Sequence, residues 1–223
     1  MCGRYTLHAD PGEIATAFDV APPAQLAPRY NIAPTQPVPI VLEADGERLW
    51  HLVNWGLVPS WARDPKMGAR MINARAETVA EKPAFRAAFR RRRCLVPASG
   101  YYEWQVTAHG KQPWYIHPVG GGCLAFAGLW EHWEGDGTVI ESCTILTCAA
   151  NASLAAVHDR MPVILAHADF ARWLAPETAG PPPRDLLRAA PEATLALRAV
   201  SKRVNSPRHE GPECIRAVGD GTD

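Results

Sequence analysis

Three places along the chain put a polar, potentially reactive group two residues ahead of an arginine: Cys2 with Arg4, Asn73 with Arg75, and His158 with Arg160. In extended backbone, residues i and i+2 share a face, so the first two pairs would set a thiol or an amide beside a guanidinium. The third falls at the end of an expected helix, where the i+2 rule fails. This pattern suits a nucleophile that attacks a substrate whose anionic groups, plausibly phosphates, are gripped by arginine. Cys2 stands oddly for that task, because chain ends fray into solvent and a free thiol there oxidises. Glu103 lies between Tyr102 and Trp104, and strict alternation leaves it on a solvent face. Taken singly, each group has a bland explanation: an Asn–Arg turn, a histidine capping a helix, a surface glutamate. Together they argue for a site.

The elements that must position these groups are short. Twenty-one prolines and 17 glycines punctuate the chain. Residue preferences predict strands at 37–42, 49–55, 94–97, 100–106, 113–117, 123–130, 139–147 and 162–165. Helices are expected at 11–19, 83–92, 151–158 and 168–175, with a shorter one near 184–190. In 83–92, Phe85, Ala88 and Phe89 form an apolar stripe, while Arg86 and Arg90 to Arg93 project elsewhere. Many strands with few helices argue for an α+β fold: a single domain with a curled, largely antiparallel, barrel-like sheet core flanked by short helices. The expected domain is 1–219, with residues 220–223 a disordered tail and 176–184 a surface loop.

Composition narrows the function classes. With 47% hydrophobic and 21% charged residues, the 223-residue chain can bury a core. No apolar run approaches the length of a membrane helix, and the N-terminus lacks the apolar stretch of a signal peptide. A soluble protein in the cytoplasm, nucleoid-associated if bacterial, is expected. The formal net charge is zero, so no global attraction to nucleic acid is signalled. Of six cysteines, Cys94, Cys123, Cys143 and Cys148 sit among apolar neighbours and read as buried free thiols. The histidine and cysteine spacings fit no metal site, and neither metal nor cofactor is expected.

A resemblance covers nearly the whole chain. MCGRY at 1–5, RYNIAP at 29–34, NWGLVPSW at 54–61, INARAET at 72–78, CLVPASGYYEW at 94–104, KQPWYI at 111–116, FAGLWE at 126–131, TILT at 144–147, HDRMPVIL at 158–165 and VSKRVN at 200–205 stand in the order typical of the SRAP family. The sequence is similar to these SOS-response-associated peptidases, also called abasic-site processing proteins. The resemblance implies a monomer that binds single-stranded DNA containing abasic sites and cross-links to it covalently. Cys2 would become the first residue once Met1 is removed, carrying an α-amine and a thiol on adjacent carbons. The amine would form a Schiff base with the sugar aldehyde, and the thiol would close a thiazolidine ring.

By the same resemblance, Asn73 would aim the Cys2 amine, Glu103 would act as general acid/base, and His158 would shuttle protons and help resolve the adduct. Arg4 and Arg75 would hold phosphates flanking the lesion and lower the pKa of amine and thiol alike. Asn31, Thr147, Arg160 and Ser201 become further candidates for strand contacts, and Pro34 with Trp61 an apolar wedge against the bases. Ordinary core packing is the competing account of Trp61. Strand cleavage by β-elimination is accessible from the Schiff base. Two other functions compete: an N-terminal-cysteine peptidase, reduced in its simplest form to autocatalytic removal of Met1, and a non-catalytic single-strand-binding module.

Overall fold

The β-branched and aromatic runs emerge as strands in the computed structural model, which describes residues 2–21 and 26–219. In chain order these are β1 (Tyr5–Leu7), β2 (Arg29–Ile32), β3 (Pro37–Ala44), β4 (Glu47–Trp55), β5 (Asn73–Arg75), β6 (Arg93–Ala98), β7 (Gly100–Thr107), β8 (Gly110–Pro118), β9 (Leu124–Gly135), β10 (Thr138–Ala149), β11 (Arg160–Pro162), β12 (Ile164–Leu165) and β13 (Leu195–Ala199). Two hairpins turn on Asp-Gly pairs, β3–β4 at Asp45–Gly46 and β9–β10 at Asp136–Gly137. All four residues have positive φ, the geometry that matches strand twist in a two-residue turn.

The chain folds as α+β with a barrel-like core. Strands β10, β4, β3, β6 and β9 neighbour one another in that order, and pairing of β9 with β10 closes the ring. Ile40, Trp55, Leu95, Phe126, Leu129 and Ile145 are wholly buried in the core. A second, antiparallel sheet runs β13–β8–β7–β1–β2. Tyr5 and Tyr101 join the two sheets by edge-on contacts to Phe126, with centroids 6.1 and 5.8 Å away.

The length of β10 lets one strand serve two neighbourhoods. Its first part lies between β9 and β4; beyond them, β5 takes the edge that β4 leaves and β11 the edge that β9 leaves. Register places Ile145 opposite Asn73 and Ala149 opposite Arg160. One strand therefore sets Asn73 and the segment after His158 on its two sides.

The helices are shorter than expected: α1 (Pro11–Phe18), α2 (Arg86–Arg91), α3 (Ala152–Ala155) and α4 (Phe170–Leu174). Helix α1 is capped by Asp10, whose side chain accepts from Gly12 N at 2.8 Å. In α2, Ala88 and Phe89 are buried, Phe85 half-buried, and Arg86, Arg90 and Arg91 exposed, as the stripe predicts, but Arg93, expected to project away with them, is buried and donates to Phe89 O at 2.8 Å. The helix expected near 184–190 is a single 3₁₀ turn, Arg184–Leu186. Helix α3 stops three residues before His158, which lies in the loop leading to β11. The segment 176–184 is largely exposed, and the expected tail 220–223 lies outside the described residues. No helix among the described residues is long and apolar enough to cross a membrane.

Candidate active site around Cys2

Cys2 is not frayed. It precedes β1, and its residue surface is wholly buried. Antiparallel pairing of β1 with β7, Tyr5 opposite Tyr101, extends outward when Tyr102 N–H donates to Arg4 O at 3.0 Å. Asn73 fastens the residue from the other side, its Nδ2 donating to Cys2 O at 2.9 Å. The amide thus grips the main-chain carbonyl of Cys2. The other end of the same side chain, Oδ1, is buried and accepts no hydrogen bond among the described residues. The Cys2 thiol makes a long contact, 3.9 Å, to Arg4 O. Burial, and then the charge of Glu103, push its pKa well up. Arginine was expected to depress it; desolvation wins, and the thiol is held protonated.

Glu103 is 3% exposed, not on a solvent face. Both faces of β7 are covered. On one side Tyr101 and Glu103 face the main core that includes Cys2; on the other, Tyr102 packs with Tyr115, Val200, Val204 and Cys214 from the C-terminal segment. Alternation is intact, but the outer face is buried too. Burial lifts the Glu103 carboxyl from an ordinary 4.5 to about 7. Its Oε2 lies 3.9 Å from His158 Nε2. His158 Nδ1 is bracketed by the Arg160 backbone N–H at 3.0 Å and the Asp159 carboxylate at 3.1 Å, which leaves Nε2 as the nitrogen turned toward Glu103. Burial also lowers the His158 pKa, which favours the neutral form. The result is a carboxyl able to hold or release a proton near neutral pH, facing an imidazole held by its own loop.

The arginines divide. Arg75 is exposed on β5, and its guanidinium makes no hydrogen bond among the described residues. Arg4 is committed within the fold: it donates to Asn31 Oδ1 at 2.7 Å, Val204 O at 2.9 Å and Asn205 O at 3.1 Å. Arg160 chelates Glu77 with two bonds of 2.6 and 2.9 Å and donates to Thr147 O at 2.6 Å. Among the strand-contact candidates, Asn31 and Thr147 are wholly buried, so neither side chain offers a surface to a strand. The Asn31 amide donates to Val204, Ser206 and His209 carbonyls instead. Ser201 caps the 3₁₀ turn Lys202–Asn205. Pro34 is half-buried. Trp61 is 57% exposed, with Nε1 donating to Pro83 O at 3.3 Å; core packing does not explain it.

Sequence reasoning passed over Glu77, although it stands at i+2 from Arg75 in the same INARAET stretch. It also missed Glu210, whose carboxylate accepts from the Tyr30 and Asn31 backbone N–H groups. Neither partner is near in sequence. Cys94, Cys143 and Cys148 are buried as read, whereas Cys123 is half-exposed.

Residues 1–207 match the family described as "SOS response associated peptidase (SRAP)". The chain belongs to that family. Its SRAP relatives include abasic site processing protein YoaM of Bacillus subtilis, 40% identical with 97% of this chain and 98% of that protein aligned. Abasic site processing protein HMCES of Xenopus tropicalis is 34% identical over 86% of this chain and 66% of its own length. The SRAP chain also superposes on a crystal structure of a protein from Bacteroides thetaiotaomicron with a TM-score of 0.83 at 25% identity, covering 97% of this chain and 99% of the other.

Proposed function

We propose that this protein processes abasic sites in single-stranded DNA by forming a covalent cross-link through Cys2, once Met1 has been removed. Kinship with proteins named for abasic site processing supports the substrate. The single observation that carries the chemistry is Asn73. Its Nδ2 holds Cys2 O, while its Oδ1 is buried without a donor among the described residues, beside the same main chain. A buried unpaired acceptor costs about 1–3 kcal/mol. A free α-amino group on Cys2 supplies the missing donor.

Each step uses a group already in place. Protonated Glu103 gives its proton to the ring oxygen as the C1–O bond of the closed sugar breaks, and the C1 hydroxyl releases its proton to water, leaving an aldehyde. The neutral α-amine attacks the aldehyde carbon, and water leaves to give an imine. An α-amino pKa near about 7.7–8.0 keeps a useful fraction neutral at pH 7. The thiol then adds to the imine carbon, its proton passing to nitrogen, and a five-membered thiazolidine closes. That closure is intramolecular and needs no second encounter. A protonated thiol suits it, since sulfur delivers a proton as it bonds. A peptidase would require thiolate, which the burial of Cys2 opposes.

Intact mass tests the reading after incubation with a uracil-glycosylase-treated single-stranded oligonucleotide. The expected species is the chain without Met1 plus the oligonucleotide minus one water. A retained Met1 in the cross-linked species, or an equally heat-stable adduct in Cys2→Ala, overturns it. A strand-binding module without chemistry gives no adduct on a denaturing gel.

A further inference from the structure

The segment that leaves the site does not end at Arg75. It passes through the turns 76–85 into α2, and it carries a regular row of cations. Lys82, Arg86 and Arg90 stand at i, i+4 and i+8, and all three are exposed. Arg86 N–H donates to Lys82 O at 2.9 Å, which ties the turn carrying Lys82 to the start of α2. Within α2 the step from Arg86 to Arg90 climbs about 6 Å, a separation that neighbouring phosphates of a flexible single strand readily adopt. The opposite face, Ala88 and Phe89, is buried.

None of the three side chains enters a hydrogen bond or ion pair among the described residues. The acids nearby in sequence or space are mostly spent elsewhere: Glu77 on Arg160, Glu177 on Arg91 and Asp185 on Arg172. Glu81, exposed beside Lys82, has no such partner among the described residues. At the start of the row stands Trp61, 57% exposed and bonded through Nε1 to Pro83 O at 3.3 Å. An exposed indole followed by a row of unpaired cations is the combination that binds single-stranded nucleic acid without reading its sequence: the ring stacks a base and the cations track the backbone.

We propose that the strand flanking the lesion runs from Arg75 past Trp61 and along Lys82, Arg86 and Arg90, which bind successive phosphates outside the reactive site. This rests on the abasic-site reading and extends it from one nucleotide to the flank. The row is local, so it coexists with a zero net charge.

The test compares wild type with Arg86→Ala, Arg90→Ala and the double variant, with Arg216→Ala as a control that removes an exposed charge from the C-terminal segment. The probes are labelled single-stranded oligonucleotides carrying one abasic site and a long or short flank on each side in turn. Each α2 variant should bind the long-flank probe roughly two- to five-fold more weakly. Each single variant should flatten the slope of log affinity against log salt by about 0.7, and the double variant by about 1.4. Cross-linking of the short-flank probe should be unchanged, and Arg216→Ala should leave both quantities near wild type. Equal losses on long and short probes, or a control as weak as the α2 variants, overturn the proposal. So does wild-type affinity in the double variant with an unchanged melting temperature. A wild type that forms no cross-link, yet loses long-flank affinity with these arginines, would sink the proposed chemistry and leave this surface standing.

Discussion

The two faces of β7 both hold buried polar groups, of opposite character. On the outer face, Tyr115 reaches in from β8 and its hydroxyl lies 3.0 Å from Thr6 Oγ1, 3.2 Å from His8 Nε2 and 3.2 Å from Ser99 O. Its ring stacks on His117, and Arg198 sits over it. Tyr102 on the same face donates to Tyr30 O at 2.7 Å. On the inner face, Asn73 keeps a buried acceptor unpaired among the described residues, and Glu103 is driven toward its neutral form. Satisfied networks rigidify a fold; a partly satisfied one leaves capacity for a ligand. The outer cluster is built to stay as it is, and the inner one to change.

Mutations should separate the two faces. The largest effect belongs to Cys2→Ala, which abolishes the heat-stable cross-link on a denaturing gel while strand affinity persists. Glu103→Gln comes next, with cross-linking slowed by about 10²-fold or more and strand affinity nearly unchanged. Its stability moves the other way. The folded carboxyl binds its proton more tightly than the unfolded one, so its contribution is full below pH 4.5 and is lost as pH rises through about 7. Glu103→Gln should therefore be more stable than wild type at pH 8, by about 1–3 kcal/mol, and show no such gain at pH 4, as read by urea melts. Equal slowing and weakening would instead make Glu103 a positioning residue. Asn73→Ala releases the grip on Cys2 and should slow cross-linking by about 10- to 100-fold, without loss of affinity for lesion-free strand. The smallest effect falls on the outer face: Tyr115→Phe should cost about 1–2 kcal/mol of stability and leave the cross-linking rate alone. A Tyr115→Phe variant that folds well but cross-links slowly would erase the contrast.

Legibility in the sequence divided along similar lines. Strands β3, β4, β8, β9 and β10 were readable because their runs are long. Strands β1, β2, β5 and β13 have three to five residues each and exist through their partners; nothing within three residues such as Asn73–Arg75 compels a strand. Cys2, Asn73, Glu103 and His158 were nameable as types, and the structure brings all four to one place. Their states were not. Glu103 looked solvent-facing because its aromatic neighbours would ordinarily claim the core side; the segment that buries the Tyr102 face instead lies about a hundred positions further on. Trp61 shows the reverse: its aromatic type suggests burial, and only the fold reveals that it stands in solvent. Arg4 looked free because its acceptors, Val204 and Asn205, are 200 and 201 residues away.

That separation bears on the protein's own synthesis. Arg4, two residues from Cys2, is fastened in part by the carbonyls of Val204 and Asn205, 200 and 201 residues further along the chain. At roughly 5–20 residues per second, about 10–40 s pass between the synthesis of Arg4 and that of these partners. A chain stopped short of Val204 would therefore hold Cys2 through Asn73 but lack this tie between the first strand and the C-terminal segment.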